Sequence, residues 1–404
     1  MTPFLQLSFL LAVILLAAKL AGYLAVRLHQ PSVLGEMLAG ILLGPSLLNL
    51  LHLPLIDDAA LAETVSQLGQ VGVLLLLFLA GLELHIADLR RSLRASALAG
   101  TLGAVLSILL GGATGLYFGL GPLPALFLGL TLGASSVSIS AQTLLELKSL
   151  KSRVGLSLLG AAVFDDVLVI FLLSAFFALT SSSAGWANLL LVFGRMGLFF
   201  ALALAFGLWL LPWLVKWVRN LPVSQGVLTL AIVVALGYAL AAELLGGMAA
   251  ITGAFLAGLM FARSPEKETL EPRLHALAYG FFVPIFFVNI GLSVDLFSLG
   301  GNLELALLVI FSALIGKLAG AGLGGRLAGL TWRESLQLGV GMVPRAEVSL
   351  IAGSAGVAAG LLGAREFSAL VAMVLACTLA APPLLRLLFH APARPVVLNQ
   401  SKQE

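Results

Sequence analysis

Apolar residues make up 60% of this 404-residue chain and charged residues only 10%, at a mean hydropathy of +1.10, a balance outside the range of soluble globular proteins. The sequence is that of a polytopic membrane protein. Its 22 Lys and Arg against 19 Asp and Glu leave a net charge of +3, but the basic residues lie in short connections between apolar runs, where they report topology and exclude nucleic acid as a partner.

Thirteen segments can carry a spanning helix of about 20 residues: 4–26, 33–51, 64–84, 96–119, 122–146, 155–179, 188–216, 222–243, 247–262, 273–294, 303–327, 334–360 and 366–389. The first lacks a basic leader and a small-residue cleavage site, so it reads as a retained helix. Many of the 44 glycines suit close helix packing in lipid. Lys19 and Arg195, in the first and seventh segments, are expected to snorkel or pair near an interface. Cys377 is the single cysteine, which excludes a disulfide framework and a multi-cysteine metal site. His29, His52, His85, His275 and His390 are scattered near predicted helix ends without metal-ligand spacing, and no cofactor is expected.

Alternate connections differ sharply in charge. One set holds 17 of the 22 basic residues, at Arg27, Arg90, Arg91, Arg94, Lys148, Lys151, Arg153, Lys216, Arg219, Arg263, Lys267, Arg273, Arg326, Arg333, Arg386, Arg394 and Lys402. The other holds only Arg365, with Asp57, Asp58, Glu63, Asp295, Glu304 and Glu366 in or near it. The positive-inside rule then puts the N-terminus outside and the C-terminus, with its polar tail 391–404, in the cytoplasm.

Four features lie inside the spans. Segment 5 carries the hydroxyl cluster Thr131–Ser140. Segment 6 carries the adjacent carboxylates Asp165 and Asp166; an ionisable residue at bilayer depth costs roughly 2.5–3.5 kcal/mol, so the pair is a functional-site hypothesis. Neighbours on a helix diverge by about 100°, so the two cannot share one partner. Lys317 stands between glycines in segment 11, and its counter-charge is expected to be one of the two Asp residues. In segment 12, Pro344 removes a backbone donor and biases Val343 away from helix, beside Arg345 and Glu347. Segments 5 and 12 therefore read as interrupted helices. With segment 7 as a connector they are the fifth of each of two six-helix repeats of inverted topology, a pointer to a midplane transport site. Fixed charges such as Lys317 and Glu347 would neutralise the facing half-helix ends.

Together, the motifs Gln30–Ser46, Phe78–Glu83, Ala134–Val137, Ala161–Leu168, Pro284–Leu292, Gly316–Lys317 and Gly341–Val348 resemble the cation–proton antiporter superfamily. Their order and spacing, over about residues 4–389, are similar to bacterial sodium/proton antiporters of the NapA type, in the monovalent cation:proton antiporter-2 branch. The resemblance implies a homodimer in the bacterial inner (plasma) membrane, serving pH homeostasis. It implies a dimerisation domain from 1–90 and 222–300, a linker helix over 181–221, and a mobile core from 91–180 and 301–390 that moves as an elevator. It also implies that Asp166 binds the ion or protons, that Asp165 pairs with Lys317, and that Ser135 and Ser136 stand beside the site. Two carboxylates resemble the electrogenic branch. Ala346, where the family usually has glycine, and Phe164, where aliphatic residues are common, depart from the pattern.

Competition supplies the expected coupling: a desolvated carboxylate holds either protons or a cation such as Na+ or Li+, and the core translocates only when loaded. Hard oxygen ligands suit an alkali cation. The alternative within transporters is potassium/proton exchange or potassium efflux. An intramembrane aspartic protease is disfavoured because Asp165 and Asp166 diverge around one helix; a sensor on the same fold is the remaining class. Glu36, Glu83 and Glu243 take no role from the sequence.

Overall fold

A computed structural model describes residues 2–45, 47–50, 60–83, 86–180, 186–292, 303–345 and 347–389. The tail 391–404 lies outside them, as do His52, Asp57, Asp58, His85, Asp295, Ala346 and His390.

The described residues form helices and turns, without a strand. The first seven helices are α1 (Pro3–Arg27), α2 (Ser32–Leu43), α3 (Ala60–Glu83), α4 (Ile86–Tyr117), α5 (Pro122–Gly133), α6 (Val137–Glu146) and α7 (Arg153–Thr180). Next come α8 (Trp186–Ala205), α9 (Leu211–Arg219), α10 (Gly226–Ala241), α11 (Ala250–Phe261), α12 (Lys267–Leu277) and α13 (Val283–Leu292). The chain closes with α14 (Leu303–Leu327), α15 (Trp332–Gly341), α16 (Glu347–Ala358) and α17 (Ala364–Phe389). Single π-helical turns, 206–210 and 278–282, join α8 to α9 and α12 to α13, and a third, 242–246, follows α10.

Ten helical runs among the described residues are long and apolar enough to cross a membrane, with 122–146 taken as one run. Large side chains such as Leu16, Leu20, Tyr23, Leu190, Leu191 and Trp209 are exposed on α1, α8 and the π turn, as a lipid-facing surface requires. Segments 2 and 9 are shorter than their sequence predicts. Each is a 12-residue helix, about 18 Å long at 1.5 Å per residue. Gly44 and Pro45 end α2 early, because the residue before a proline is pushed out of the α region.

Helices begin where capping chemistry allows. Thr2 accepts from the Leu5 amide ahead of Pro3, and Thr331 with Glu334 forms a reciprocal capping box on α15. Left-handed residues turn the chain at His29 after α1, Gly119 after α4, Lys148 after α6, Gly247 before α11, Gly329 after α14 and Gly360 after α16, and also at Asn49 and Gln225.

Packing sorts the helices into two groups. α1, α2, α3, α10, α11 and α13 pack on one another, whereas α4 lies along α5, α7 and α14, and α14 along α15 and α17. Among the described residues the α4–α14 seam is the most extensive helix contact, and glycines make it close. A Cβ on Gly320 would come within 2.4 Å of the Leu102 carbonyl oxygen, and one on Gly316 within 2.6 Å of Ser107 Cα. Gly320→Val is expected to force the seam apart at a cost of about 1–3 kcal/mol, read as a lower melting temperature in detergent. An unchanged melt would mean that the seam opens without strain.

Candidate functional site

The interruptions in the two broken helices meet. Between α5 and α6 the chain is extended at Ala134 and Ser136; between α15 and α16, residues 343–345 carry no helix. The Ser136 amide donates to the Pro344 carbonyl at 2.8 Å. Ser135 Oγ donates to the Met342 carbonyl at 3.2 Å and Ser140 Oγ to the Gly341 carbonyl at 2.6 Å. These hydroxyls satisfy the last carbonyls of α15, which have no partner within their own helix. Ser136 Oγ lies 3.0 Å from Ser138 Oγ.

The charge at this crossing is Arg345. Fully buried, it donates through Nη1 to the Ala134 carbonyl, the C-cap of α5, and through Nη2 to Ser107 Oγ and the Ala313 carbonyl, both at 3.3 Å. Thr378 Oγ1 donates back to the Arg345 carbonyl. This corrects the expectation that Lys317 serves a half-helix end: a guanidinium on the second break reaches the C-terminal end of the first, where positive charge is favoured. Glu347 opens α16, and its side chain lies outside those described.

Lys317 is engaged elsewhere. Its Nζ donates to Asp165 Oδ1 at 2.6 Å, and both side chains are wholly buried. Burial of a charge pair is tolerable only with such direct contact. Asp165 Oδ2 has no hydrogen-bond partner among the described residues.

Asp166 faces away from that pair, toward α11. Thr252 Oγ1 donates to Asp166 Oδ2 at 3.3 Å, a contact that no motif in the sequence announces. Asp166 also lines a narrow cleft with Leu77, Val137, Ala162, Ile251 and Phe255, where α3, α6, α7 and α11 converge. Its free volume of about 10 Å³ is close to the space one water needs. Two adjacent carboxylates thus occupy different surroundings, one sealed by a lysine and one at a cleft wall.

A second cavity, of about 450 Å³, lies toward the basic connections and is lined by Ser32, Glu83, Gln142, Glu146, Lys151, His275 and Tyr279. Here Glu146 caps α2 from outside, accepting from the Ser32 amide at 2.8 Å and from Ser32 Oγ at 2.5 Å. Lys151 Nζ lies 3.8 Å from Glu83. His275 is inside α12, stacked on Tyr279 at 4.1 Å. Lys19 Nζ donates to the Tyr279 carbonyl at 2.9 Å and lies 4.0 Å from the buried Glu36. Arg195 donates to the Leu244 and Leu245 carbonyls of the π turn that contains Glu243. Phe164 is partly exposed, and Cys377 is buried and free.

Comparison with known proteins agrees over nearly the whole chain. Residues 12–390 match the transmembrane sodium/hydrogen exchanger family. The Na(+)/H(+)-K(+) antiporter GerN of Bacillus cereus is 40% identical over 387 residues, covering 96% of this chain and 97% of GerN. The probable Na(+)/H(+) antiporter GerT of the same organism is 38% identical, covering 94% and 99%. The fold is that of the sodium proton antiporter MjNhaP1 from Methanocaldococcus jannaschii, with a TM-score of 0.70 at 18% identity over 100% of both chains. The chain therefore belongs to the sodium/hydrogen exchanger family of transmembrane cation/proton antiporters, and it is a transporter and not an enzyme.

Proposed function

We propose that the protein exchanges sodium or lithium for protons, with cation and proton competing for Asp166. The observation that carries this reading is the division of labour within the carboxylate pair. Asp165 is neutralised by Lys317 at 2.6 Å, whereas Asp166 lines a cleft and has a hydroxyl, Thr252 Oγ1, within reach. A carboxylate so desolvated favours a neutralised state, reached either by a proton or by a bound cation, and exchange follows from that exclusivity. Oxygen ligands from Asp166, nearby hydroxyls and water suit a hard alkali cation. If cation entry also breaks the Asp165–Lys317 contact and releases the lysine proton, two protons move per cation, the electrogenic behaviour of a NapA-like branch.

The wider arrangement follows the same reading. We take the chain as thirteen crossings in two inverted six-helix repeats, α1–α7 and α10–α17, with α8 and α9 as the linker. Left-handed turn residues at corresponding positions in it, His29 with Gly247, Gly119 with Gly329 and Lys148 with Gly360, and 12-residue helices at the second position of each repeat, support it. In this scheme 1–90 and 222–300 form the scaffold of a homodimer, 91–180 and 301–390 form the elevator, and the C-terminus is cytoplasmic. The bonds Glu146–Ser32 and Lys151–Glu83 then bridge scaffold and elevator and must break in each cycle.

Cation-induced proton movement in proteoliposomes, followed with a pH-sensitive dye for sodium, lithium and potassium, tests the proposal. Signals selective for sodium or lithium support it. A response to potassium alone favours the second reading, potassium/proton exchange, which the similarity to the Na(+)/H(+)-K(+) antiporter GerN motivates. Silence toward all three ions overturns both.

Thr252 gives a finer check. Its hydroxyl oxygen is one of the ligands open to a cation beside Asp166, so Thr252→Val should raise the apparent KM for the cation by a factor of about five, the equivalent of one polar contact of about 1 kcal/mol. Thr252→Ser should retain the wild-type KM. Equal KM values in all three proteins would remove Thr252 from the site.

A further inference from the structure

We propose that the groove between α9 and the end of α11 is a binding site for one anionic phospholipid. The groove has a volume of about 380 Å³ and lies at the end of the bundle that carries the basic connections. Its floor is apolar: Leu211, Val215 and Met260 are buried along it. Gly207 permits this depth, since a Cβ there would meet Met260 Cγ at 2.3 Å.

The mouth is basic. Lys216, Arg219 and Arg263 line it against a single carboxylate, Glu266. Arg219 Nη1 binds Glu266 at 3.3 Å, which uses the one available counter-charge. The side chains of Lys216 and Arg263 have no hydrogen-bond or ion-pair partner among the described residues. Two uncompensated cations over an apolar channel complement a lipid with a phosphate head and acyl chains, and basic pockets between helices on the cytoplasmic side take such heads.

The depth is right for it. Trp209, Trp213 and Trp217 follow the same stretch and are 79%, 59% and 52% exposed. Trp213 and Trp217 stack with planes 5° apart and centroids separated by 6.2 Å. Exposed tryptophans collect at headgroup level, so the cations beside them meet phosphates and the floor above them meets acyl chain.

Native mass spectrometry of the detergent-solubilised full chain tests this, with phosphatidylglycerol and phosphatidylcholine of matched acyl chains. One phosphatidylglycerol should bind in preference to phosphatidylcholine. The double variant Lys216→Gln with Arg263→Gln should weaken that binding by about 30-fold, since each basic residue near a membrane surface contributes about a factor of five. Arg94→Gln, which removes an exposed cation from α4, should leave it unchanged. Leu208→Trp, filling the groove from its exposed side without altering charge, should also weaken it. The preference is read within each protein, so a general loss of stability does not imitate the effect. Equal binding of the two lipids, a preference that survives the double variant, or displacement by soluble glycerol phosphate at matched concentration would each overturn the assignment.

Discussion

Asp166→Asn is expected to reduce cation-driven proton movement to the level of protein-free vesicles while leaving the fold intact. Asparagine keeps the shape of the side chain and an oxygen that can accept from Thr252 Oγ1, 3.3 Å away in the native chain. What it removes is the charge for which, in the proposed mechanism, cation and proton compete. Because an ionisable group at membrane depth costs roughly 2.5–3.5 kcal/mol, the variant should melt at the native temperature or above it. A second readout separates binding from transport. A ligand that binds only the folded state raises stability as RT ln(1 + [L]/Kd), so added sodium should raise the melting temperature of the native protein and not that of Asp166→Asn. Undiminished exchange in the variant would move the site elsewhere.

The second large effect concerns the neighbouring pair. Asp165→Ala strands the Lys317 cation, and Lys317→Met strands the Asp165 carboxylate, each wholly buried. Removing one partner of a buried pair costs about 3–5 kcal/mol, so both single variants should express poorly and melt early. Removing both should not add these losses. A buried pair replaced by apolar groups is often neutral in stability, so Asp165→Ala with Lys317→Met should recover most of the native melting temperature. Additive losses would mean that the two residues do not act as a pair. The double variant also addresses stoichiometry. Under the proposed two-proton scheme, the double variant has no lysine proton to release and should exchange without responding to an imposed membrane potential, whereas the native chain should respond to it.

Hydropathy and charge patterning made the membrane class legible, together with the location of the helices, because bilayer insertion constrains every spanning segment in the same local way. The interruptions in segments 5 and 12 were legible for the same reason. Pro344 and the small hydroxyl residues act on their own backbone, whatever surrounds them. That Asp165 and Asp166 must take different partners also follows from the sequence, through helix geometry alone.

Which partner each one takes is a property of packing. Asp165 and Lys317 are 152 positions apart; α4 packs on both α7 and α14, and its Gly100 and Gly103 let it lie close to each, a Cβ on Gly100 falling 2.6 Å from the Ala161 carbonyl oxygen and one on Gly103 3.3 Å from Lys317 Cδ. Thr252, an ordinary residue in an apolar run, becomes a candidate ligand only because α11 starts beside α7. Arg345 could have been read as an interfacial charge; its burial against the α5 carbonyl end is decided by the crossing of the two breaks. Glu146 belongs to no motif, and the cap it forms on Ser32 depends on α6 ending over the start of α2. The sequence by itself determined which segments are helical, where they break and which charges lie at depth, since those follow from local backbone chemistry and desolvation. The tertiary structure alone decided which buried group neutralises which, because that depends on the relative position of helices distant in sequence.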